Sequence, residues 1–282
     1  MSEELIPFED YARENGTRHW ASLDFMKMLG YKSASSFSQA VNKAMTACAT
    51  LGITITDAFV PAEFEQDGKT IPGYKLSRFA CFLVAMHADD KKKEVLTARV
   101  YLAAFASSII DEQKSLSDLV RIELRNELKQ GEKNLAGVVT GAGLSSQMMG
   151  LFKDAGFRGM YNMGLRDLKM LKGIGKKDVL YDFMGQTELA GNFFRVTQTA
   201  ERIKSQGAQG SENLNRTANR VGRDVRDMMI KNGGIAPENL PATEHVKEAE
   251  KRLKGANREM KKLDKPKAAK KERTSDKESG NL

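Results

Sequence analysis

Apolar residues change their spacing along this chain near residue 112, and the change restricts the folds that are open to it. Before that point, β-branched residues, glycines and turn dipeptides predict short strands mixed with helices. After it, apolar residues recur at every third or fourth position, which is typical of amphipathic helices. The sequence therefore predicts an α+β fold in three parts: a small α+β domain over 1–112, a mainly helical domain over 113–235, and a basic, partly disordered tail over 236–282.

The N-terminal part contains two hairpin signals. Asn15-Gly16 and Asp67-Gly68 both favour positive φ, which a tight turn between antiparallel strands requires. We predict that the first signal joins strands at 6–8 and 17–21. The region 52–74, rich in proline, glycine and β-branched residues, is predicted to form short strands and turns. Helices are predicted at 23–29, from about 33 to 48, and from 76 to 110 with a break at 89–93.

Positive charge is concentrated near the C-terminus. The chain has 45 Lys and Arg against 37 Asp and Glu, a formal net charge of +8. From Lys247 to the end there are thirteen basic and seven acidic residues. This excess favours polyanions as partners. Because few apolar residues are available to offset the entropy of ordering, at least the part after Asp264 is predicted to be disordered in isolation.

One helix of the second part has a clear apolar seam. Leu189, Phe193, Val196, Ala200 and Ile203 are spaced four and three residues apart, so they share one side of a helix. A seam of this length is expected to be buried against a neighbouring helix.

The next helix has a basic face. Its apolar residues between Leu214 and Met229 share one side, and four arginines gather on the other: Arg216, Arg220, Arg223 and Arg226. Because a guanidinium offers a fixed fork of donors, we predict that this ridge binds DNA phosphates. The alternative is an ordinary solvated face, partly neutralised by Asp224 and Asp227.

A second candidate phosphate site lies just before the seam. Gly173-Ile174-Gly175 has the Gly-hydrophobe-Gly pattern of helix-hairpin-helix DNA binders, in which backbone amides at a helix start meet a phosphate. The flanking lysines are therefore candidate DNA-binding residues: Lys172, Lys176 and Lys177. The favoured alternative is a glycine-bearing loop between two helices.

The sequence shows no catalytic constellation. The histidines lack metal-ligand spacing and are His19, His87 and His245. Cys48 and Cys81 lie in apolar segments, which predicts two buried thiols in a reducing compartment. We therefore expect a non-enzymatic protein without metal or cofactor. The acids worth testing for a divergent nuclease site are Glu123, Glu127 and Glu188. With no secretory signal and no run of eighteen apolar residues, the chain is expected to be cytoplasmic, without a membrane partner.

Several segments taken together resemble the DNA-damage-inducible protein D family, DinD. In consistent order over roughly residues 5–245, they are Trp20 with Leu29-Gly30-Tyr31, Tyr74–Val84, Leu124–Lys129, Met184–Thr199, Val221–Arg226 and Gly233–Pro241. Gln186 and Gly191 depart from the pattern, because Ser and Ala are expected there. The first hundred or so residues are also similar to a BRO-N domain, in which a tryptophan-bearing strand precedes a helix that ends in Leu-Gly-Tyr.

The resemblance implies a bacterial product of the SOS regulon, controlled through LexA and acting near RecA filaments on single-stranded DNA. BRO-N domains are associated with DNA binding, and the family supplies no catalytic residue that could be transferred. We therefore predict a non-enzymatic modulator of RecA filaments and recombination. Its expected partners are DNA, with single strands favoured, and RecA or the RecA–DNA filament. A second copy of the chain is a further candidate partner, and the sequence does not specify the oligomeric state. The alternatives are an antirepressor-type transcriptional regulator acting through the BRO-N-like domain, and a divergent nuclease.

Overall fold

The computed structural model describes residues 8–66, 68–106 and 112–266. Within these residues, four strands form one antiparallel sheet in the order β1-β2-β4-β3. The strands are β1 (Ala12–Asn15), β2 (Thr17–Ala21), β3 (Phe59–Gln66) and β4 (Lys69–Leu76). Gly16 and Gly68 lie in the two hairpin turns with positive φ values of 90° and 71°. Both predicted turns are therefore confirmed.

The partner of β2 differs from the prediction. β2 pairs with β1, in the register Ala12 to Trp20, and with β4. Phe8 begins a 3-10 turn, Phe8–Tyr11, while residues 6 and 7 lie outside the described residues. The aromatic residue suggested a strand because it is apolar, but its ring stacks on Trp20 with the centroids 4.3 Å apart. Packing on the tryptophan ring, and not strand pairing, accounts for its burial.

Helices cover the sheet and complete a first core. In the described part of this region they are α1 (Ser22–Met28), α2 (Ala34–Thr50), α3 (Ile55–Ala58), α4 (Arg78–His87) and α5 (Lys93–Ala106). The short helix α3 lies where strands and turns were predicted. Ser33 and Ser77 cap α2 and α4, since each hydroxyl accepts a hydrogen bond from a backbone amide three residues later. All residues of α4 from Arg78 to Met86 are buried, so α4 is the centre of this core.

A second core lies among the helices that follow. They are α6 (Glu112–Gly141), α7 (Met149–Tyr161), α8 (Leu165–Leu171), α9 (Gln186–Gln206) and α10 (Ser211–Gly233). The predicted seam of α9 is confirmed for Leu189, Val196 and Ile203, which are at most 2% exposed. Phe193 is only partly buried, at the edge of the core. The predicted α+β fold, an N-terminal sheet with helices followed by a mainly helical region, is thus confirmed.

Helix α6 takes part in both cores. Leu119 and Ile122 belong to the first core, whereas Leu128 and Leu135 belong to the second. The predicted domain boundary at residue 112 adjoins residues 107–111, which lie outside the described residues. That boundary stays a prediction, but the change from one core to the other occurs within α6.

A large part of the predicted basic tail is a helix of the first core. Helix α11 (Val246–Leu263) buries Val246, Ala249, Leu253 and Met260 against it, a spacing of three, four and seven residues. This apolar stripe is enough to order a segment whose charge suggested a tail. Residues 267–282, where most of the predicted disorder falls, lie outside the described residues.

The end of α11 is fixed by a buried ion pair. The Asp264 carboxylate accepts hydrogen bonds from the Arg78 backbone amide at 3.1 Å and from its Nε at 3.0 Å, at the start of α4. The same guanidinium pairs with Glu9 and lies 4.8 Å from the centroid of the Trp20 ring. The side chains of Arg78, in α4, and Asp264, just after α11, are at most 3% exposed. Asp264 therefore depends on Arg78 for its charge balance, whereas Arg78 also has Glu9 as a partner.

Candidate nucleic-acid interface

Helix α10 is held against α7 by a close contact between the two backbones. A Cβ atom on Gly159 would lie 2.1 Å from the carbonyl oxygen of Asn219, and one on Gly222 would lie 2.6 Å from that of Gly156. Because both helices have glycine at the crossing, no side chain separates them. This contact fixes which side of α10 faces the core.

Three of the four predicted arginines point away from that contact. At about 100° per residue, Arg216, Arg220 and Arg223 lie about 100–160° around the helix axis from Gly222. All three are exposed. The opposite side is buried as predicted at Leu214, Ala218, Val221 and Val225. Toward the end of the helix the predicted apolar face is not buried, since Met228 is 40% exposed and Met229 is only partly buried.

Arg226 does not belong to the exposed ridge. It lies only about 40° around the axis from Gly222, and its side chain is 12% exposed. Its Nη2 donates to the Glu238 carboxylate at 2.7 Å, and its Nη1 donates to the carbonyl of Met160 at 3.1 Å. The hydrogen bond with the carboxylate raises the pKa of Arg226 and lowers that of Glu238. Arg226 therefore fastens the segment after α10 to α7, and its guanidinium is occupied by these contacts and not presented to DNA.

Two of the exposed arginines of α10 line a depression together with an arginine of α9. The end of α9 and the first half of α10 enclose a depression of about 440 Å³, lined by Arg202, Arg216 and Arg220. We call it the arginine pocket. The lining also contains the amide residues Gln206, Gln209 and Asn213. No carboxylate residue is among those that line it in the described chain. Arg223 is outside this lining.

Two of the pocket arginines have carboxylate partners outside it. Arg202 Nη1 lies 2.7 Å from Asp224 Oδ2, and Arg216 Nη2 lies 2.6 Å from Glu212 Oε1. These four side chains are at least 30% exposed, so the pairs contribute little stability and can open for another anion. For Arg220, no ion pair is found among the described residues. The pocket therefore presents guanidinium and amide donors that a phosphate could accept from.

Lys172 is not available for DNA. Its Nζ lies 3.1 Å from Glu188 Oε2 and donates to the carbonyl of Leu240 at 2.6 Å, and both members of the ion pair are at most 3% exposed. Tyr161 also donates its hydroxyl to this carboxylate, at 3.0 Å. Burial raises the pKa of Glu188, and the lysine and tyrosine contacts oppose that shift. Lys172, which the sequence predicts to bind a DNA phosphate, is instead the counter-charge of a buried carboxylate.

The glycine pattern next to Lys172 forms a loop. Gly173 has a φ of 67°, Ile174 is buried, and the chain then runs to a 3-10 turn at Leu180–Phe183 before α9 begins. A helix-hairpin-helix would need a helix directly after the second glycine, and none begins there. Lys176 and Lys177 are exposed on this loop, and neither is among the residues that line the arginine pocket.

The three acids considered for a nuclease do not meet in one site. Glu123 and Glu127 lie one turn apart on α6, while Glu188 is buried beneath Lys172 on α9. Across the described ranges, no group of three or more histidine, cysteine or acidic side chains is arranged to hold a metal ion. None of the helices that the structure describes is long and apolar enough to cross a membrane.

Sequence reasoning missed Arg202. It lies on α9 one residue before the buried Ile203, is partly exposed, and looks in the sequence like an ordinary solvated arginine. Only the antiparallel turn from α9 to α10 brings it beside Arg216 and Arg220. The local signal that could have suggested this turn is Gly207 with Gly210, both of which have positive φ.

Comparison with known proteins identifies the family of this fold. A family model described as the DinD C-terminal domain matches residues 116–249. The chain is also 32% identical over 269 residues to DNA damage-inducible protein D of Escherichia coli (strain K12), which covers 90% of this chain and 98% of that protein. The chain belongs to the DinD family. Within the DinD C-terminal domain match lie α7 to α10, and with them the whole arginine pocket.

Proposed function

We propose that this DinD-family chain is a non-enzymatic protein of the bacterial DNA-damage response, acting in the cytoplasm. It binds single-stranded DNA, bare or coated by RecA, and so modulates RecA filaments and recombination. The name of the Escherichia coli relative, DNA damage-inducible protein D, supports the cellular setting. The observation that carries the binding proposal is the convergence of Arg202, Arg216 and Arg220 with amide side chains in one pocket.

The concave shape of the arginine pocket favours a single strand over a duplex. Three arginines around a depression of about 440 Å³ suit a nucleic-acid backbone that can bend its phosphates toward them. A duplex is stiff, with a persistence length of about 50 nm, so its phosphates stay on a nearly straight surface. A single strand can turn its backbone into the pocket at little cost. The resemblance that implies RecA supports the filament as the form of DNA that the protein meets in the cell.

The test measures how DNA affinity depends on salt. Each phosphate neutralised on a single strand contributes about 0.7 to the slope of log K against log salt concentration. Replacing Arg202, Arg216 and Arg220 together with alanine should therefore flatten the slope by about two and weaken binding at low salt. Alanine is a good helix former, so α9 and α10 should persist. The measurement is fluorescence anisotropy of a labelled single strand over a salt series.

A control removes the same charge elsewhere. Lys27, Lys69 and Lys91 are exposed on the N-terminal region, and their triple alanine variant loses three positive charges without touching the pocket. This variant should keep the wild-type slope. Equal slopes for the wild type and the arginine variant would reject the pocket as the phosphate site. Loss of co-sedimentation with RecA filaments while DNA affinity is unchanged would assign the arginines to an acidic protein surface.

The proposal of a non-enzymatic role has its own test. The burial of Glu188 against Lys172, apart from Glu123 and Glu127, supports it, since a two-metal nuclease needs its carboxylates to converge. Labelled single- and double-stranded DNA, incubated with Mg²⁺ or Mn²⁺ and the protein, should remain intact. Cleavage that disappears in a Glu123→Gln or Glu127→Gln variant would replace this proposal by the nuclease alternative.

A second candidate function is that of an antirepressor-type regulator acting on duplex DNA. It is favoured by the order of α1, a turn through Gly30 and α2, because a second helix that follows such a turn can read a major groove. Helix α2 has one charged residue, Lys43, among its 17, in a chain that is 29% charged, and Ser35, Ser36 and Gln39 are exposed on it. A sequence-dependent duplex affinity that Gln39→Ala abolishes would support this candidate.

A further inference from the structure

A second cleft, separate from the arginine pocket, lies between α2 and α6. Its volume is about 770 Å³, and Phe193 of α9 also lines it. The residues in its walls differ from those of the pocket: they are mostly amides and hydroxyls, with few charges. We call it the amide cleft.

The two walls offer paired hydrogen-bonding groups. Helix α2 contributes Asn42 and Thr46, and α6 contributes Gln130 and Asn134, all four exposed to solvent in the cleft. A side-chain amide presents both donors and an acceptor, so these groups can match a ligand edge that carries both. Among the lining residues, Asn126 Nδ2 donates to Thr50 Oγ1 at 3.3 Å, which ties α6 to α2.

An aromatic ring is available between these walls. Phe193 lies on the seam side of α9 but, unlike Leu189 and Val196, is not fully buried. Its ring lies close to α6 where Gly131 has no side chain: a Cβ atom there would be 3.4 Å from the ring. The ring therefore adds a flat apolar surface to a cleft that is otherwise polar.

The charges of the cleft do not favour phosphate. Lys43, Glu123 and Glu127 are the charged residues among those that line it. Glu123 Oε1 lies 3.3 Å from the Nε2 of His87, at the side of the cleft where α4 ends. Two carboxylates against one ammonium would repel a backbone phosphate, so the ligand that suits this lining is flat, uncharged and edged with donors and acceptors.

We propose that the amide cleft takes an unstacked nucleobase of a single strand. The base would stack on the Phe193 ring while Gln130, Asn134 and Asn42 bond to its edge, the two contacts by which proteins hold single-stranded bases. This inference rests on the proposed binding of single strands. It adds a base-dependent contact that the arginine pocket, which addresses phosphates, does not supply.

The experiment compares a strand that has bases with one that lacks them. Two labelled probes of equal length are used, an oligodeoxythymidylate and the corresponding abasic strand, which carry the same phosphates. The wild-type protein should prefer the thymidylate by about tenfold, within the range known for stacking one base. A Gln130→Ala, Asn134→Ala variant should lose part of this preference. Phe193→Leu, which keeps an apolar side chain against the core, should lose most of it.

The salt series separates this site from the arginine pocket. Variants of the amide cleft should weaken binding at every salt concentration without changing the slope, because no phosphate contact is lost. Gln198→Ala, which removes an exposed amide of α9 outside the cleft, is the matched control and should behave as the wild type. Melting temperatures of all variants should agree within a few degrees. A lost preference for the thymidylate probe over the abasic probe then reflects the cleft and not unfolding of the variant.

Each outcome bears on one proposal. Equal affinity of the wild type for both probes, or an unchanged preference in Phe193→Leu and in the amide variant, would overturn the base site and leave the arginine pocket intact. Binding of neither probe would refute the function proposed above, and the base site with it. Free thymidine, at the same concentration of bases as the oligodeoxythymidylate, should not displace the labelled strand. If it did, the assignment of the cleft to a base within a strand would be overturned.

Discussion

Lysines 172 and 176 are four residues apart, and their surroundings give the two charges different roles. Lys176 is exposed on the loop, whereas Lys172 is buried against Glu188. The local sequence could not separate them, because the carboxylate is sixteen residues away along the chain and reaches the lysine only through the fold. Arg202 was missed for the same reason. Single-residue roles that depend on a tertiary partner are therefore the least predictable from sequence here.

Substituting Lys172 should reduce stability more than DNA binding. Lys172→Ala leaves the Glu188 carboxylate buried without its counter-charge, which costs about 3–5 kcal/mol of the free energy of unfolding. Urea denaturation measures this loss. Lys176→Ala, an exposed lysine on the same loop, should change the free energy of unfolding by less than about 0.5 kcal/mol. Equal stability of the two variants would show that the buried pair contributes nothing measurable.

His87 should make stability depend on pH. Its side chain is 9% exposed, and burial, with Lys43 and Arg99 nearby, lowers its pKa from 6.5 to about 4. The unfolded chain then binds a proton more readily than the folded chain, so stability is present above pH 6.5 and is lost as the pH falls toward 4. The loss is at most about 3 kcal/mol. Burial raises the pKa of Glu123, so that residue acts in the opposite direction and offsets part of the loss.

The check is a comparison of unfolding free energies at pH 7 and pH 4.5. His87→Gln should lose less stability between these values than the wild type, because glutamine does not titrate in this range. His19→Gln, in the first hairpin, is the control and should follow the wild type. If the two variants lose the same amount, the pH dependence arises elsewhere.

Helix positions and faces were largely readable from periodicity, as α9 and α10 show. The buried set Leu214, Ala218, Val221 and Val225 follows the 3.6-residue repeat. The exact rotation of α10 was not readable, because Gly222 decides it by its contact with α7. Periodicity therefore predicts Arg226 on the exposed side, whereas its side chain is 12% exposed. Helix α11 shows the converse: its apolar stripe is present in the sequence, but the excess of basic residues over the same positions predicts a tail.

The contact between α7 and α10 should not accept a larger residue. In Gly222→Ala the new Cβ would lie 2.6 Å from the backbone oxygen of Gly156, so the two helices must move apart. We expect a loss of about 1–3 kcal/mol in the free energy of unfolding, as for other overpacked sites. Gly137→Ala in α6 is the control, since its Cβ would meet nothing within 4 Å. It should stabilise by about 0.5–1 kcal/mol.

At the scale of the whole molecule, the two cores are not formed by two consecutive parts of the chain. Helix α6 leaves the first core for the second, and α11 returns to the first, where Asp264 pairs with Arg78. Sequence patterns predicted an N-terminal α+β part and a helical part correctly. They could not show that residues near 260 complete the N-terminal core, because no local signal specifies which distant apolar surface a helical stripe will cover.

Two truncations should therefore have different effects. A chain that ends at Pro266 loses residues 267–282, which carry five basic and three acidic residues, but keeps α11 and the pair of Asp264 with Arg78. Its melting temperature should equal that of the full chain. Its affinity should fall slightly and by the same factor for single strands, duplexes and different sequences, because lysines outside a fixed geometry neutralise phosphates without reading bases.

A chain that ends at Pro241 loses α11 as well. The first core would then expose the surface that Ala249, Leu253 and Met260 cover, and Arg78 would remain without Asp264. We expect the N-terminal region to unfold at a lower denaturant concentration than the second core. The unfolding curve should then show two transitions in place of one. Trp20, the chain's one tryptophan, lies in the first core, so its fluorescence should report the earlier transition. Far-ultraviolet circular dichroism should report both transitions. A single transition at the wild-type midpoint would show that α11 is dispensable for the core, and that the C-terminal segment acts as a tail from residue 242 onward.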